Sequence, residues 1–98
     1  PLQVEVIPIG NDFADYAWEV TKKLEAAGIK VHCDDSNETM RYKIRQAQLQ
    51  KIPYMLVIGD KEQEDGNVTV RFRESGESKT MARDEFISML MDEIKNKK

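Results

Sequence analysis

Lys51-Ile52-Pro53-Tyr54-Met55-Leu56-Val57-Ile58-Gly59-Asp60 is the stretch on which the fold turns. Pro53 stops a helix from running into it. The five residues after Pro53 are apolar without alternation, and Gly59-Asp60 closes the run. A run of this length and composition reads as a strand buried on both faces, which requires helices above and below the sheet. The flanks supply them. Upstream, Glu38 to about Gln50 reads as a helix with Met40, Ile44 and Ala47 on one face. Before it, Asp35-Ser36-Asn37 is a polar break, and residues 29–34 alternate as a strand with Ile29, Val31 and Cys33 on one face and Lys30, His32 and Asp34 on the other.

Further upstream, Val4-Glu5-Val6-Ile7-Pro8-Ile9 is a short β-branched strand with Pro8 near its end. Asn11-Asp12 is an N-cap signal, and Phe13, Ala17, Val20, Leu24 and Ala27 follow at helical spacing until Gly28. Downstream, residues 68–73 alternate, Ser75-Gly76 turns, and Glu77 to Met81 returns as a short antiparallel strand. A last helix from about Arg83 to Lys95 is expected to turn Phe86, Ile87, Leu90, Met91 and Ile94 inward, with Lys95, Lys97 and Lys98 complementing its dipole. The order predicts an α/β, three-layer domain: a mixed sheet between helices, largely parallel, closed by a hairpin.

The 98 residues form one domain, with no internal repeat, linker or low-complexity segment. That is too few for a large substrate cleft and a cofactor domain together. Hydrophobic residues at 40% and charged residues at 34% are ordinary for a soluble domain. Fifteen basic against eighteen acidic residues give a net charge of −3, which argues against holding nucleic acid through bulk charge. One cysteine excludes an internal disulfide and a cysteine-ligated zinc, and fits a reducing compartment. No apolar run approaches a membrane span, and the N-terminus lacks the basic and apolar regions of a signal peptide. Because the chain begins at Pro1, either a methionine was removed or the sequence is a piece of a longer protein.

No phosphate-loop pattern is present, and Gly10 reads as a turn glycine. His32-Cys33-Asp34-Asp35 resembles a ligand cluster only in one dimension: on a strand, His32 and Cys33 face opposite ways, and Cys33 shares its face with Ile29 and Val31 as a core thiol. Residues 35–46 start like a calcium loop but carry Met40 where glycine is needed and Gln46 where glutamate is needed. Asn37-Glu38-Thr39 and Asn67-Val68-Thr69 match a glycosylation pattern by chance in a chain without a secretory signal.

Charge placement says more than net charge. Between Thr39 and Lys51 lie Arg41, Lys43 and Arg45, and no acid. This basic helix follows the carboxyl end of a strand, where α/β sheets bind ligands. Asp60, Glu62, Glu64 and Asp65 form an acidic run, and Arg71 and Arg73 are expected on one face of a strand. Arginine pairs phosphate or a base edge, carboxylates accept from base amino groups, and Tyr42 or Tyr54 could stack on an unpaired base. The plainer reading is a solvated helix face beside a charged hairpin.

The segment Asn37-Glu38-x-x-x-Tyr42-Lys43-Ile44-Arg45-x-Ala47-Gln48-Leu49, the run from Lys51 to Val57, Gly59-Asp60-Lys61-Glu62, and Val68-x-Val70-Arg71-x-Arg73 together resemble the C-terminal anticodon-binding domain of bacterial-type threonyl-tRNA synthetases. The resemblance extends over essentially all of residues 1–98, and the block from Lys51 to Glu62 is its most specific part. It implies a mixed, mostly five-stranded sheet with three helices. It implies recognition of the second and third anticodon bases of threonine tRNA, with Asn37, Glu62 and Arg71 as base readers and Arg41, Lys43, Arg45 and Arg73 on the RNA backbone. It also implies no catalytic residue, cofactor or metal in this domain: ATP, zinc and the chemistry belong to the catalytic part of a cytoplasmic, homodimeric ligase, and a fragment of this size is expected to be monomeric. Thr39 and Arg41 depart from the lysine and glycine common in the family, and Ser78-Lys79-Thr80-Met81 replaces its usual Leu-Gly pair. The alternatives are a prolyl- or histidyl-type domain of the same fold, and a free-standing protein-interaction domain derived from it.

Overall fold

The apolar run at the centre of the sequence is also the centre of the sheet. A computed structural model describes residues 2–96. Its elements are β1 (Val4–Pro8), a 3-10 turn (Asn11–Phe13), α1 (Ala14–Ala26), β2 (Val31–Cys33), α2 (Met40–Leu49), β3 (Tyr54–Ile58), α3 (Asp60–Asp65), β4 (Asn67–Phe72), β5 (Ser78–Ala82) and α4 (Arg83–Asn96). The sheet order is β2-β1-β3-β4-β5. The β1 strand runs parallel to β2 and β3, and the β3-β4 and β4-β5 pairs are antiparallel. The mixed five-stranded sheet and the three-layer arrangement agree with the expectation; the helix count does not. The acidic run forms a fourth helix, α3, only six residues long. No hydrophobic periodicity marks so short a helix. It is held instead by Glu62, whose carboxylate accepts from the Gly59 N–H at its start, and by Gly66 in the left-handed conformation (φ 72°) at its end.

Strand alternation sends side chains to two faces. The register places Val4, Val6, Leu56, Ile58, Val68, Val70 and Met81 on one face, against Tyr16, Ala17, Val20 and Leu24 of α1 and Phe86 and Leu90 of α4. Burying each of the larger groups is worth about 1.5–3 kcal/mol relative to leaving it in water. The other face is smaller: Ile7 and Met55 pack against Ile44 and Ala47 of α2 and Ile52 just beyond it. Toward β4 and β5 this second face carries Thr69, Arg71, Ser78 and Thr80.

Several boundaries move from the sequence reading. The Asn11 and Asp12 side chains make no cap; the chain enters α1 through the 3-10 turn. Strand β2 holds only three residues, and α2 starts at Met40 because Thr39 is its N-cap, its Oγ1 accepting from the Tyr42 N–H at 3.1 Å. Met40, Met91 and Ile94 are exposed rather than inward, so α2 and α4 bury narrower stripes than their periodicity allows. The exit of α2 is set by Lys51, which takes φ 61° while the Ile52 N–H returns to the Ala47 carbonyl at 3.1 Å. That reversal drops Ile52 into the core before Pro53 opens β3. Lys97 and Lys98 lie outside the described residues.

Candidate nucleic-acid interface

The uncovered part of the second face adjoins α2 and α3, and a loop from β2 leads into α2. That loop, residues 34–39, carries Asn37 in an exposed position. Asp34 Oδ1 accepts from the Ser36 N–H at 3.2 Å, and Trp18 of α1 donates its indole N–H to Asp35 Oδ2 at 2.9 Å, so the loop is tied at two points next to Asn37. Among the described residues no hydrogen bond engages the Asn37 side chain, which leaves its amide free to donate and accept.

Arg41 and Arg45 of α2 line a groove of about 440 Å³ with Met40, Ile44, Gln48 and Arg71 of β4. Helical spacing places Arg41, Arg45 and Gln48 on adjoining turns, and the β4 register brings Arg71 beneath them opposite Met55. Among the described residues none of the three guanidinium groups has an ion-pair partner. Three unneutralised cations around one groove favour an anion, and a phosphodiester fits their planar, forked donors. Tyr42 is 46% exposed and offers a ring for stacking.

Glu62 stands on α3 with both carboxylate oxygens engaged. Oε1 accepts from the Gly59 N–H at 2.7 Å and Oε2 from the Thr69 hydroxyl at 2.7 Å. Gly59 keeps the approach of Glu62 close: a Cβ would lie 3.1 Å from Glu62 Oε1 and 2.8 Å from the Ile9 Cδ1 methyl, and both side-chain ends would have to shift. Thr69 points to the same face as Arg71, two residues on. Arg41, Arg45, Glu62 and Arg71 are therefore drawn from three segments, α2, α3 and β4, to one side of the sheet, and Asn37 stands exposed in the loop that leads into α2.

Three other positions lie elsewhere. Lys43 is buried, 3% exposed, and its ammonium donates to the Pro8 carbonyl at 3.2 Å. The α2 turn that exposes Arg41 and Arg45 turns Lys43 toward the end of β1, so it pins the helix to the sheet instead of meeting a ligand at the surface. Arg73 falls beyond the last residue of β4 and lines a separate cavity of about 650 Å³ with Tyr54, Phe72, Glu74 and Glu93, so strand alternation no longer pairs it with Arg71. Tyr54 belongs to that side too. Its hydroxyl donates to Glu93 at 2.7 Å, its ring meets Phe72 and Phe86 edge-on, and burial with the Glu93 contact pushes its pKa up to about 12. Thr69, Thr80 and Gln48 were not singled out by the sequence; the alternation of β4 that marks Arg71 also marks Thr69.

Cys33, His32 and Glu5 are built into the fold and do not line the groove. Cys33 is buried in the core, and burial pushes its thiol up to about 11. His32, on the opposite face as its strand position requires, bonds Glu5 at 3.0 Å. Burial raises the Glu5 pKa against the opposing effect of His32.

The family profile described as "Anticodon binding domain" matches residues 3–93. The chain belongs to the anticodon-binding domain family. Within that family it is 49% identical over 98 residues to the threonine–tRNA ligase of Streptococcus gordonii, and 52% identical over 99 aligned positions to that of Staphylococcus carnosus. These alignments cover 99% and 100% of the chain but 15% of each ligase. Among solved structures, the RNA-binding domain of threonyl-tRNA synthetase from Cryptosporidium parvum Iowa II superposes with a TM-score of 0.89 at 34% identity, over 95% of this chain and 23% of that one. The anticodon-binding fold thus comes with side-chain likeness as well as shared topology. No helix among the described residues is long and apolar enough to cross a membrane.

Proposed function

We propose that this anticodon-binding domain reads the second and third anticodon bases of threonine tRNA as part of a threonine–tRNA ligase. The observation that carries this reading is the Arg41–Arg45–Arg71 groove on the open face that Glu62 reaches through Thr69, in a chain about half identical to threonine–tRNA ligases along its length; Asn37 joins it from the sequence resemblance, in the exposed loop that leads into α2. The names of those relatives favour the threonine system over the prolyl and histidyl ones.

The division of labour follows from donor and acceptor capacity. Glu62 as a carboxylate only accepts, and it suits a paired N–H edge such as N1 and N2 of guanine. Arg71 only donates, to a base carbonyl or a phosphate. Asn37 does both. Arg41 and Arg45 hold the backbone without reading sequence. ATP, zinc and aminoacyl transfer belong in this reading to the larger part of the ligase, and the whole enzyme is cytoplasmic and homodimeric. The test is titration of the chain with a threonine-tRNA anticodon stem-loop. Glu62→Ala and Arg71→Ala should each weaken binding by about 1–3 kcal/mol, and equal affinity for wild type and both variants overturns the assignment.

A further inference from the structure

Glu62 carries more hydrogen bonding than the first turn of a six-residue helix needs. The bond from the Gly59 N–H to Oε1 is the cap. The bond from Thr69 to Oε2 comes from another element, β4, and lies outside the cap. Thr69 Oγ1 also lies 3.1 Å from Thr80 Oγ1 across the β4-β5 ladder, where the two residues stand directly opposite.

The directions in this chain follow from proton counting. A hydroxyl has one proton, and a carboxylate has none to give. With the Thr69 proton committed to Glu62, the contact between the threonines must be donated by Thr80. The order is Thr80 to Thr69 to Glu62, met from the far side by Gly59. The carboxylate is thus held by one bond on each oxygen, from two different elements. Each oxygen keeps a further lone pair. Fixing a free glutamate side chain costs rotamer entropy; here most of that freedom is gone before a ligand arrives.

We propose that Thr69 is a positioning residue that pre-organises the Glu62 carboxylate for one base edge, with Thr80 fixing the direction of the Thr69 proton. The inference rests on Glu62 reading guanine, as argued above. Thr69 touches no base in this scheme; it strengthens the guanine contact, because a carboxylate already held loses less freedom on binding, and a mismatched edge makes no such contact to strengthen. The β4 strand itself does not need the hydroxyl, since valine has the same shape and an equal liking for strands.

The experiment uses the 98-residue chain and two anticodon stem-loops, with guanine or adenine as the second base, at one salt concentration. Adenine puts an acceptor where guanine has its N1–H, so the ratio of the two affinities reports the carboxylate. Thr69→Val should lower that ratio roughly tenfold, the penalty for ordering a freed glutamate side chain on binding, while the adenine loop binds as to wild type. Thr69→Ser, which restores the hydroxyl, should recover the ratio. Thr69→Ala provides a second hydroxyl-free variant, and thermal unfolding identifies any variant that has lost its fold. Glu62→Gln separates the two ideas. If it erases the preference and Thr69→Val and Thr69→Ala retain it, the positioning role is overturned and the base-reading role stands. If Glu62→Gln retains the preference, the base-reading role falls and the positioning role falls with it.

Discussion

On one face of the sheet Val4, Val6, Leu56, Ile58, Val68 and Val70 are all fully buried under α1 and α4. On the other, α2 covers Ile7 and Met55 and stops, leaving Thr69, Arg71, Ser78 and Thr80 of β4 and β5 uncovered. A single strand, β4, serves both: its even-numbered valines hold the core and its odd-numbered polar residues face out. The difference teaches how a small acidic domain presents cations. Stability comes from the closed face, so the open face can leave guanidinium groups unneutralised without threatening the fold.

The largest test of this division is Leu56→Ala. A cavity in the closed face should cost about 2–5 kcal/mol in urea unfolding. Arg71→Ala, one strand away on the open face, should leave the unfolding free energy within about 0.5 kcal/mol while weakening the stem-loop. A stability loss of Leu56 size at Arg71 would erase the distinction between the faces.

Two of the α2 cations sharpen the boundary. Arg41→Gln and Arg45→Gln should each lower the slope of log affinity against log salt by about one. Lys43→Met should leave the slope unchanged, because the Lys43 ammonium is spent on the Pro8 carbonyl. An equal fall for Lys43 would put it on the RNA side.

The smallest effect belongs to Cys33 on the closed face. Its folded pKa is raised from 9.0 to about 11, so the folded chain keeps a proton that the unfolded chain releases. Stability should therefore fall as pH rises from about 9 toward 11, and Cys33→Ala should flatten the start of that fall. Tyr54, raised from 10.0 to about 12, adds a later decline of the same sign that the variant leaves in place. Unfolding curves between pH 8 and 10.5 measure both, and an unaltered slope in Cys33→Ala counts against the buried thiol.

Much of this was legible in the sequence because apolar periodicity and turn residues are local. The unbroken run from Tyr54 to Ile58 gave the central strand, and the alternation after Asn67 gave the hairpin. What periodicity misses is fixed by partners far along the chain. Helix α3 depends on a carboxylate answering Gly59 and Thr69, Lys43 is buried because a carbonyl at the end of β1 awaits it, and Arg73 leaves the company of Arg71 because β4 ends at Phe72. The resemblance named Asn37, Glu62 and Arg71, but not the hydroxyls behind Glu62.

The tie between Trp18 and Asp35 makes the loop visible to light. Trp18 is the chain's only tryptophan, it is partly exposed, and its indole N–H is held by a carboxylate two residues from Asn37. Its emission therefore comes from one site with one hydrogen-bonding partner. Any movement of that loop alters the polarity around a single fluorophore, and the domain reports on the segment that carries Asn37 without a label.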